Sequence, residues 1–205
     1  MPHASIPLAR QDITQAEIDA VTDVLRSDRL SLGPATEQFE QALAERVGRA
    51  HGIAVNSGTS GLHLCVRALG LGEGDEVVTT PFSFIATTNC VLFEGARPVL
   101  ADIDPDTYNL DPAAAEAACT GRTRALLPVE AFGNPAHFDA YERLAAEKHL
   151  ALIEDCCEAL GAVLGDRPAG SFGDCGVFAF YPNKQITTGE GGMIVTDRAD
   201  IRDLC

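Results

Sequence analysis

Phe180-Tyr181-Pro182-Asn183-Lys184-Gln185-Ile186-Thr187-Thr188-Gly189-Glu190-Gly191-Gly192 lies between two short apolar runs, Gly176 to Phe180 and Met193 to Thr196, that read as strands. A lysine in a polar loop is ordinarily solvated surface. Upstream, however, another apolar run, Leu150 to Glu154, ends on Glu154-Asp155, so an acidic strand end precedes the lysine. An amine and a carboxylate so placed match the needs of pyridoxal 5'-phosphate (PLP). Its aldehyde is held by an amine as a Schiff base, its pyridine nitrogen is kept protonated by a carboxylate, and its phosphate needs a cradle. Taken alone, Asp155 reads as a helix N-cap or a surface carboxylate.

The candidate cradle is Asn56-Ser57-Gly58-Thr59-Ser60-Gly61, which follows the apolar run Ile53-Ala54-Val55 and opens a segment of helical character, Leu62 to Leu69. Backbone N–H groups at a helix start have no intrahelical acceptor and bind anions. Gly58 and Gly61 allow close approach, and the hydroxyls of Thr59 and Ser60 add donors. By itself such a cluster is more often a loop or a plain N-cap.

Outward from these segments, short apolar runs alternate with helical patterns. Thr14-x-x-Glu17 predicts a capping box opening a helix with Ile18, Val21 and Leu25 on one face. Phe39, Leu43 and Val47 form a second stripe ending at Gly48, and both stripes are expected to be buried. Strands are predicted at Glu76 to Thr79, Pro98 to Ala101 and Arg124 to Val129, besides those above; helices are predicted at Ala113 to Cys119, Ala140 to Lys148 and from Arg198. This alternation predicts an α/β fold with a mainly parallel central sheet flanked by helices. Ligands bind beyond the carboxyl ends of such strands, where Asp102, Glu130 and Asp155 are expected to converge.

Leu32-Gly33-Pro34, Phe39-Glu40, Asn56-Ser57-Gly58-Thr59-Ser60, Phe82-Ser83-Phe84-Ile85-Ala86-Thr87, Glu154-Asp155 and the lysine block together resemble the DegT/DnrJ/EryC1/StrS sugar aminotransferases, of PLP fold type I. The resemblance covers nearly the whole chain and implies the fold type I large domain. It implies that Lys184 is the Schiff-base lysine, that Asp155 pairs with the pyridinium nitrogen, that Phe84 stacks on the cofactor ring, and that Thr59 and Ser60 with Gly58 hold phosphate. Lysine rather than histidine at 184 implies transamination rather than dehydration. The expected acceptor is a nucleotide-linked keto sugar and the expected donor glutamate, in amino-sugar, cell-surface polysaccharide or secondary-metabolite biosynthesis. By the same resemblance, residues 1–205 correspond to the family's N-terminal segment and PLP-binding large domain without its smaller C-terminal domain, and the protein is a homodimer. Three positions depart from the family's commonest pattern: Glu130 for histidine, Glu158 for glutamine near the cofactor, and Ala179 for a phosphate-binding serine. The last removes one hydrogen bond worth about 0.5–1.5 kcal/mol. Two other readings remain open: a non-catalytic PLP-binding sensory protein of the same fold, and a cyclitol or aromatic-amine aminotransferase or dehydratase.

Composition narrows the classes. At 205 residues, 46% hydrophobic and 22% charged, the chain is long enough for one large core. Fifteen Lys and Arg against 30 Asp and Glu give a net charge of −15 without a basic stripe, arguing against nucleic acid or an anionic membrane as partner. An anionic nucleotide sugar must then be held against the global field. No apolar run reaches the ~18 residues of a membrane span, and the start, Met1 to Pro7, lacks the basic and apolar parts of a signal peptide, so a cytoplasmic protein is expected. The seven cysteines show no C-x-x-C spacing, which predicts neither a disulfide framework nor a zinc site. His63 is expected to pack rather than to catalyse. Gly70-Leu71-Gly72-Glu73-Gly74 follows a helix and precedes a strand, the reverse of a dinucleotide fingerprint.

Overall fold

The computed structural model describes residues 6–7 and 9–205, so most of the stretch behind the signal-peptide expectation lies outside the described residues. In chain order the elements are α1 (Gln15–Arg26), α2 (Pro34–Val47), β1 (His51–Val55), α3 (Gly58–Ala68), β2 (Glu76–Thr79), α4 (Ala86–Phe93), β3 (Arg97–Leu100), α5 (Pro112–Ala118) and β4 (Thr123–Leu127). A 3-10 turn at Ala131–Gly133 follows, then α6 (Phe138–Lys148), β5 (Ala151–Asp155), a small hairpin of β6 (Val163–Leu164) and β7 (Arg167–Pro168), β8 (Cys175–Ala179), β9 (Gly192–Thr196) and α7 (Ala199–Leu204).

Seven strands form one sheet of order β1-β9-β8-β5-β4-β2-β3. The pairs β8–β5, β5–β4, β4–β2 and β2–β3 are parallel, while β9 is antiparallel to both its neighbours. Successive residues of a strand point to opposite faces, and here both faces are covered. Val77, Leu127, Ile153, Val177 and Ile194 pack with Leu62, Val66 and Val91 of α3 and α4. The alternate residues Val78, Leu126 and Leu152 pack with Phe138, Tyr141 and Leu144 of α6. Phe178, Met193 and Val195 meet Leu43 and Val47 of α2. Three layers result, with apolar runs where a half-exposed sheet would alternate with polar residues.

The Phe39-Leu43-Val47 stripe is buried as expected at Leu43 and Val47, and Gly48 ends α2 at φ 72°. The capping box of α1 is also present, with Glu17 accepting from the Thr14 amide at 2.7 Å. The burial expected of the α1 stripe is corrected: Ile18, Val21 and Leu25 are 50%, 60% and 66% exposed. Caps and amphipathic spacing specify a helix and its apolar side, but not a neighbour to cover that side. Among the described residues no helix is long and apolar enough to cross a membrane.

Candidate active site

Because β9 alone runs against the others, the carboxyl ends of β1, β2, β4, β5 and β8 open on the same side of the sheet, together with the start of β9. There they surround a cavity of about 810 Å³. Ser57, Gly58 and Thr59 come from the end of β1, Phe82, Ser83 and Phe84 from the loop after β2, and Asp155, Cys157 and Glu158 from the end of β5. Ala179, Tyr181, Asn183, Lys184, Glu190 and Gly191 come from β8 and the β8–β9 connection. The lysine block is thus a long loop between two adjacent antiparallel strands, held at its base by Phe180 N–H donating to Gly191 O at 3.0 Å and by Thr188 N–H donating to Phe180 O at 3.0 Å.

Among the described residues, Lys184 is the single Lys or Arg lining the cavity. Its Nζ donates to Glu158 Oε1 at 3.0 Å, and its side chain is largely covered, at 17% exposure. Glu158 Oε2 accepts from the Phe132 amide at 3.2 Å, so one carboxylate joins the amine to the loop after β4. Asp155 is buried at the end of β5. Its Oδ2 accepts from Thr87 Oγ1 at 2.8 Å and its Oδ1 from the Cys157 amide at 3.3 Å. Thr87 Oγ1 also meets Ser83 Oγ at 2.6 Å, and since Thr87 donates to Asp155, Ser83 is the donor to Thr87. Burial pushes the Asp155 pKa up, and the Thr87 and Cys157 hydrogen bonds and the Lys184 charge oppose that shift.

The start of α3 is built against the two central strands. A Cβ on Gly58 would lie 2.8 Å from Ala179 Cβ and 2.9 Å from Cys157 Sγ, and one on Gly61 2.7 Å from Val177 Cγ1. Ser57 caps the helix, its Oγ accepting from the Ser60 amide at 3.1 Å. The Gly58 and Thr59 amides have no intrahelical acceptor and lie on the cavity wall, which suits an anion. Ser60 does not line the cavity. Its amide donates to Ser57 Oγ and its hydroxyl accepts from that same Oγ, at 3.1 Å each.

Phe84, 75% exposed, stands on the cavity wall. Beside it is a cluster that the sequence did not disclose: Phe82 stacks on Tyr108 at 5.6 Å, and Phe132 meets both edge-on at 5.9 and 6.0 Å. Phe132 (φ 55°) and Tyr108 (φ 63°) both hold left-handed backbone, uncommon for aromatic residues. The three rings come from three loops, so no sequence spacing brings them together.

The expected convergence of three carboxylates holds for Asp155 alone. Glu130 follows β4, but its neighbours Val129 and Ala131 line the cavity while its own side chain is fully buried elsewhere. Asp102 follows the edge strand β3, and its Oδ1 accepts from the Ile103 amide at 2.8 Å. His63 packs as expected, pairing with Glu94 at 2.6 Å and meeting Phe93 edge-on. All seven cysteines are free.

A mostly parallel sheet under helices, with a lysine, a buried aspartate and the start of a helix on one cavity, is the large-domain fold of fold type I PLP enzymes. The chain belongs to the DegT/DnrJ/EryC1/StrS aminotransferase family, whose model matches residues 11–205. It is 44% identical over 199 residues to the spore coat polysaccharide biosynthesis protein SpsC of Bacillus subtilis, covering 97% of this chain and 50% of that protein. It is 43% identical over 202 residues to GDP-perosamine synthase of Caulobacter vibrioides, covering 98% of this chain and 54% of that one. The PLP form of a sugar aminotransferase from Streptococcus pneumoniae superposes with a TM-score of 0.91 at 31% identity, over 97% of this chain and 54% of that chain. The chain therefore spans about half the length of the curated relatives it matches.

Proposed function

We propose that this chain binds PLP and carries the catalytic centre of an aminotransferase that moves an amino group from glutamate onto a nucleotide-linked keto sugar. The observation that supports it most directly is the meeting of Lys184, Asp155 and the α3 start on one cavity. The residues fit the cofactor. Gly58 and Thr59 offer unpaired amides for its phosphate, Asp155 offers a carboxylate for its ring nitrogen, and the exposed ring of Phe84 offers a stacking face. Among the described residues Lys184 is the one cation on the cavity wall, so hydrogen bonds and the helix start bear the phosphate charge. Serine is absent at Ala179, which leaves that task more fully to α3.

When bound, PLP supplies an aldehyde that condenses with amines and a protonated ring that draws off carbanion charge. Lys184 Nζ would hold the cofactor's aldehyde, and when free of it Nζ is the base placed to take a proton from a substrate carbon and, as the resulting ammonium, to deliver it to a second carbon. Glu158 Oε1, 3.0 Å from Nζ, keeps the amine on the cavity side of its loop. The donors on Asp155 favour its anionic form, the form that keeps a ring nitrogen protonated.

The nucleotide-sugar assignment draws support from GDP-perosamine synthase, and a place in surface-polysaccharide synthesis from the spore coat protein. The homodimer and the cytoplasmic setting belong to the same proposal on the family resemblance alone. The direct test is borohydride reduction of the full chain with PLP, followed by peptide mapping. A pyridoxyl group on Lys184 is expected; a label elsewhere, or none in the folded, PLP-soaked protein, overturns the proposal.

A further inference from the structure

Behind Asp155, on the opposite face of β5, lies a second pair of carboxyl groups that the cavity does not use. Glu154 shares its face with Leu152, and Glu130, from the end of β4, reaches the same spot; both are fully buried. A carboxyl oxygen of each, with Cys156 Sγ, lies in a cluster whose members are all within 4.8 Å of one another. Glu154 is satisfied: its oxygens accept from the Gly170 amide and, at 3.0 Å, from the Phe172 amide. Glu130 is the opposite, since neither of its oxygens has a partner. Two ionised carboxylates at this distance repel in a medium that screens poorly, and neither has a proton to give.

Among the described residues no cation pairs with either carboxyl group, although the Arg49 charge favours the anionic form of Glu154 from a distance. Arg49 directs its guanidinium to the carbonyls of Gly170, Phe172 and Gly173 and to Asp197. Arg167 pairs with Glu142. Cys156 Sγ points at Val177 O, 3.1 Å away, as a donating thiol does and a metal-bound thiolate does not. The remaining charge nearby is Asp155 itself, which faces the cavity.

We propose that Glu130 is a neutral carboxylic acid whose proton is shared with the Glu154 carboxylate, closing the ends of β4 and β5 behind Asp155. The proton sits on Glu130 because two amides already stabilise the anionic form of Glu154, while nothing stabilises an anion at Glu130. Burial and the Glu154 charge both push the Glu130 pKa up, in agreement with that placement. The hydrogen bond supports the backbone bond from the Glu130 amide to Asp155 O at 3.0 Å, making Glu130 a positioning residue for Asp155. Its neutrality also leaves Asp155 without a second anion beneath it.

The sign of the pH effect follows. The native chain keeps a proton that the unfolded chain releases above about pH 4.3, so stability falls as pH rises until Glu130 ionises in the fold. One extra bound proton makes the folding constant fall tenfold per pH unit. Urea unfolding of the full chain between about pH 6 and 9 tests this against Glu130→Gln, whose amide donates without titrating. The wild-type folding constant is expected to fall about tenfold more per pH unit than that of Glu130→Gln, while Glu130→Ala, which cannot donate, is destabilised throughout. Parallel pH dependences overturn the proposal.

Infrared spectroscopy gives a second readout that needs no variant to fold. The C=O stretch of a protonated carboxyl group is expected in the wild-type chain at neutral pH and its absence overturns the proposal. The band should persist in Glu154→Gln and vanish in Glu130→Gln; the reverse pattern puts the proton on Glu154 and overturns it too. A stoichiometric divalent metal whose removal by chelation destabilises the wild type does the same.

Discussion

Glu158 joins two walls of the proposed site. It ties Lys184 Nζ to the Phe132 amide, and so ties the lysine loop to a residue in left-handed backbone. Glu158→Gln keeps length and hydrogen-bond reach and removes only charge. The pair is half exposed on the Glu158 side, so the change in unfolding free energy is expected below about 1 kcal/mol. The pH profile of the half-reaction with glutamate, measured by stopped flow, is expected to move to lower pH, because a nearby anion favours protonated neighbours. An unmoved profile leaves Glu158 with a purely structural bond. Lys184→Ala should lose both borohydride trapping and transamination while keeping its melting temperature within a few degrees, since it removes no core contact; retained turnover contradicts the mechanism. Thr87→Val keeps shape but strips a donor from a buried carboxylate, with an expected loss of about 1–3 kcal/mol in urea unfolding. Lys184 and Asp155 could be picked from the sequence because each ends or follows a readable strand. Thr87 had no such signal, since one hydroxyl is distinguished from another only by what it meets in the fold.

At the scale of elements, the central strands were legible because each is a short apolar run buried on both faces, with ends within one or two residues of expectation, whereas the two-residue strands β6 and β7 were not foreseen. Helix α4 was not foreseen. Its residues Ala86-Thr87-Thr88-Asn89-Cys90-Val91-Leu92-Phe93 carry two threonines and no side-chain cap at Ile85, so neither spacing nor start marks it. Glu130 shows the other limit: position after a strand puts a residue near the sheet end, but the turn that follows decides which way its side chain goes. The α3 start illustrates how tightly an element can be fixed by what it lacks. Alanine normally improves a helix over glycine by about 1 kcal/mol. At Gly61 the added methyl would stand 2.7 Å from Val177 Cγ1, a stiff side chain in the core. Gly61→Ala is therefore expected to destabilise by about 1–3 kcal/mol in thermal or urea unfolding. A gain in stability would mean that α3 can move off the sheet.

Over the whole molecule, a net charge of −15 works against the compact state. The melting temperature is expected to rise between about 10 and 200 mM sodium chloride as the Debye length shortens from ~30 Å to under 10 Å. A fall over that range would mean that local ion pairs such as Arg122–Glu76 outweigh the long-range repulsion. The reversed strand β9 has a bearing on how the molecule comes into being. It is made after the other six strands of this sheet, yet among the described residues it is the one neighbour of β1, the first of them, and it also covers the open side of β8. At 5–20 residues per second, a growing chain exposes the unpaired backbone of β1 for on the order of ten seconds before β9 emerges. Throughout that wait His51–Val55 presents free hydrogen-bonding groups to any passing strand, and a ribosome that stalls before Gly192 leaves both β1 and β8 as raw edges for a chaperone to shield.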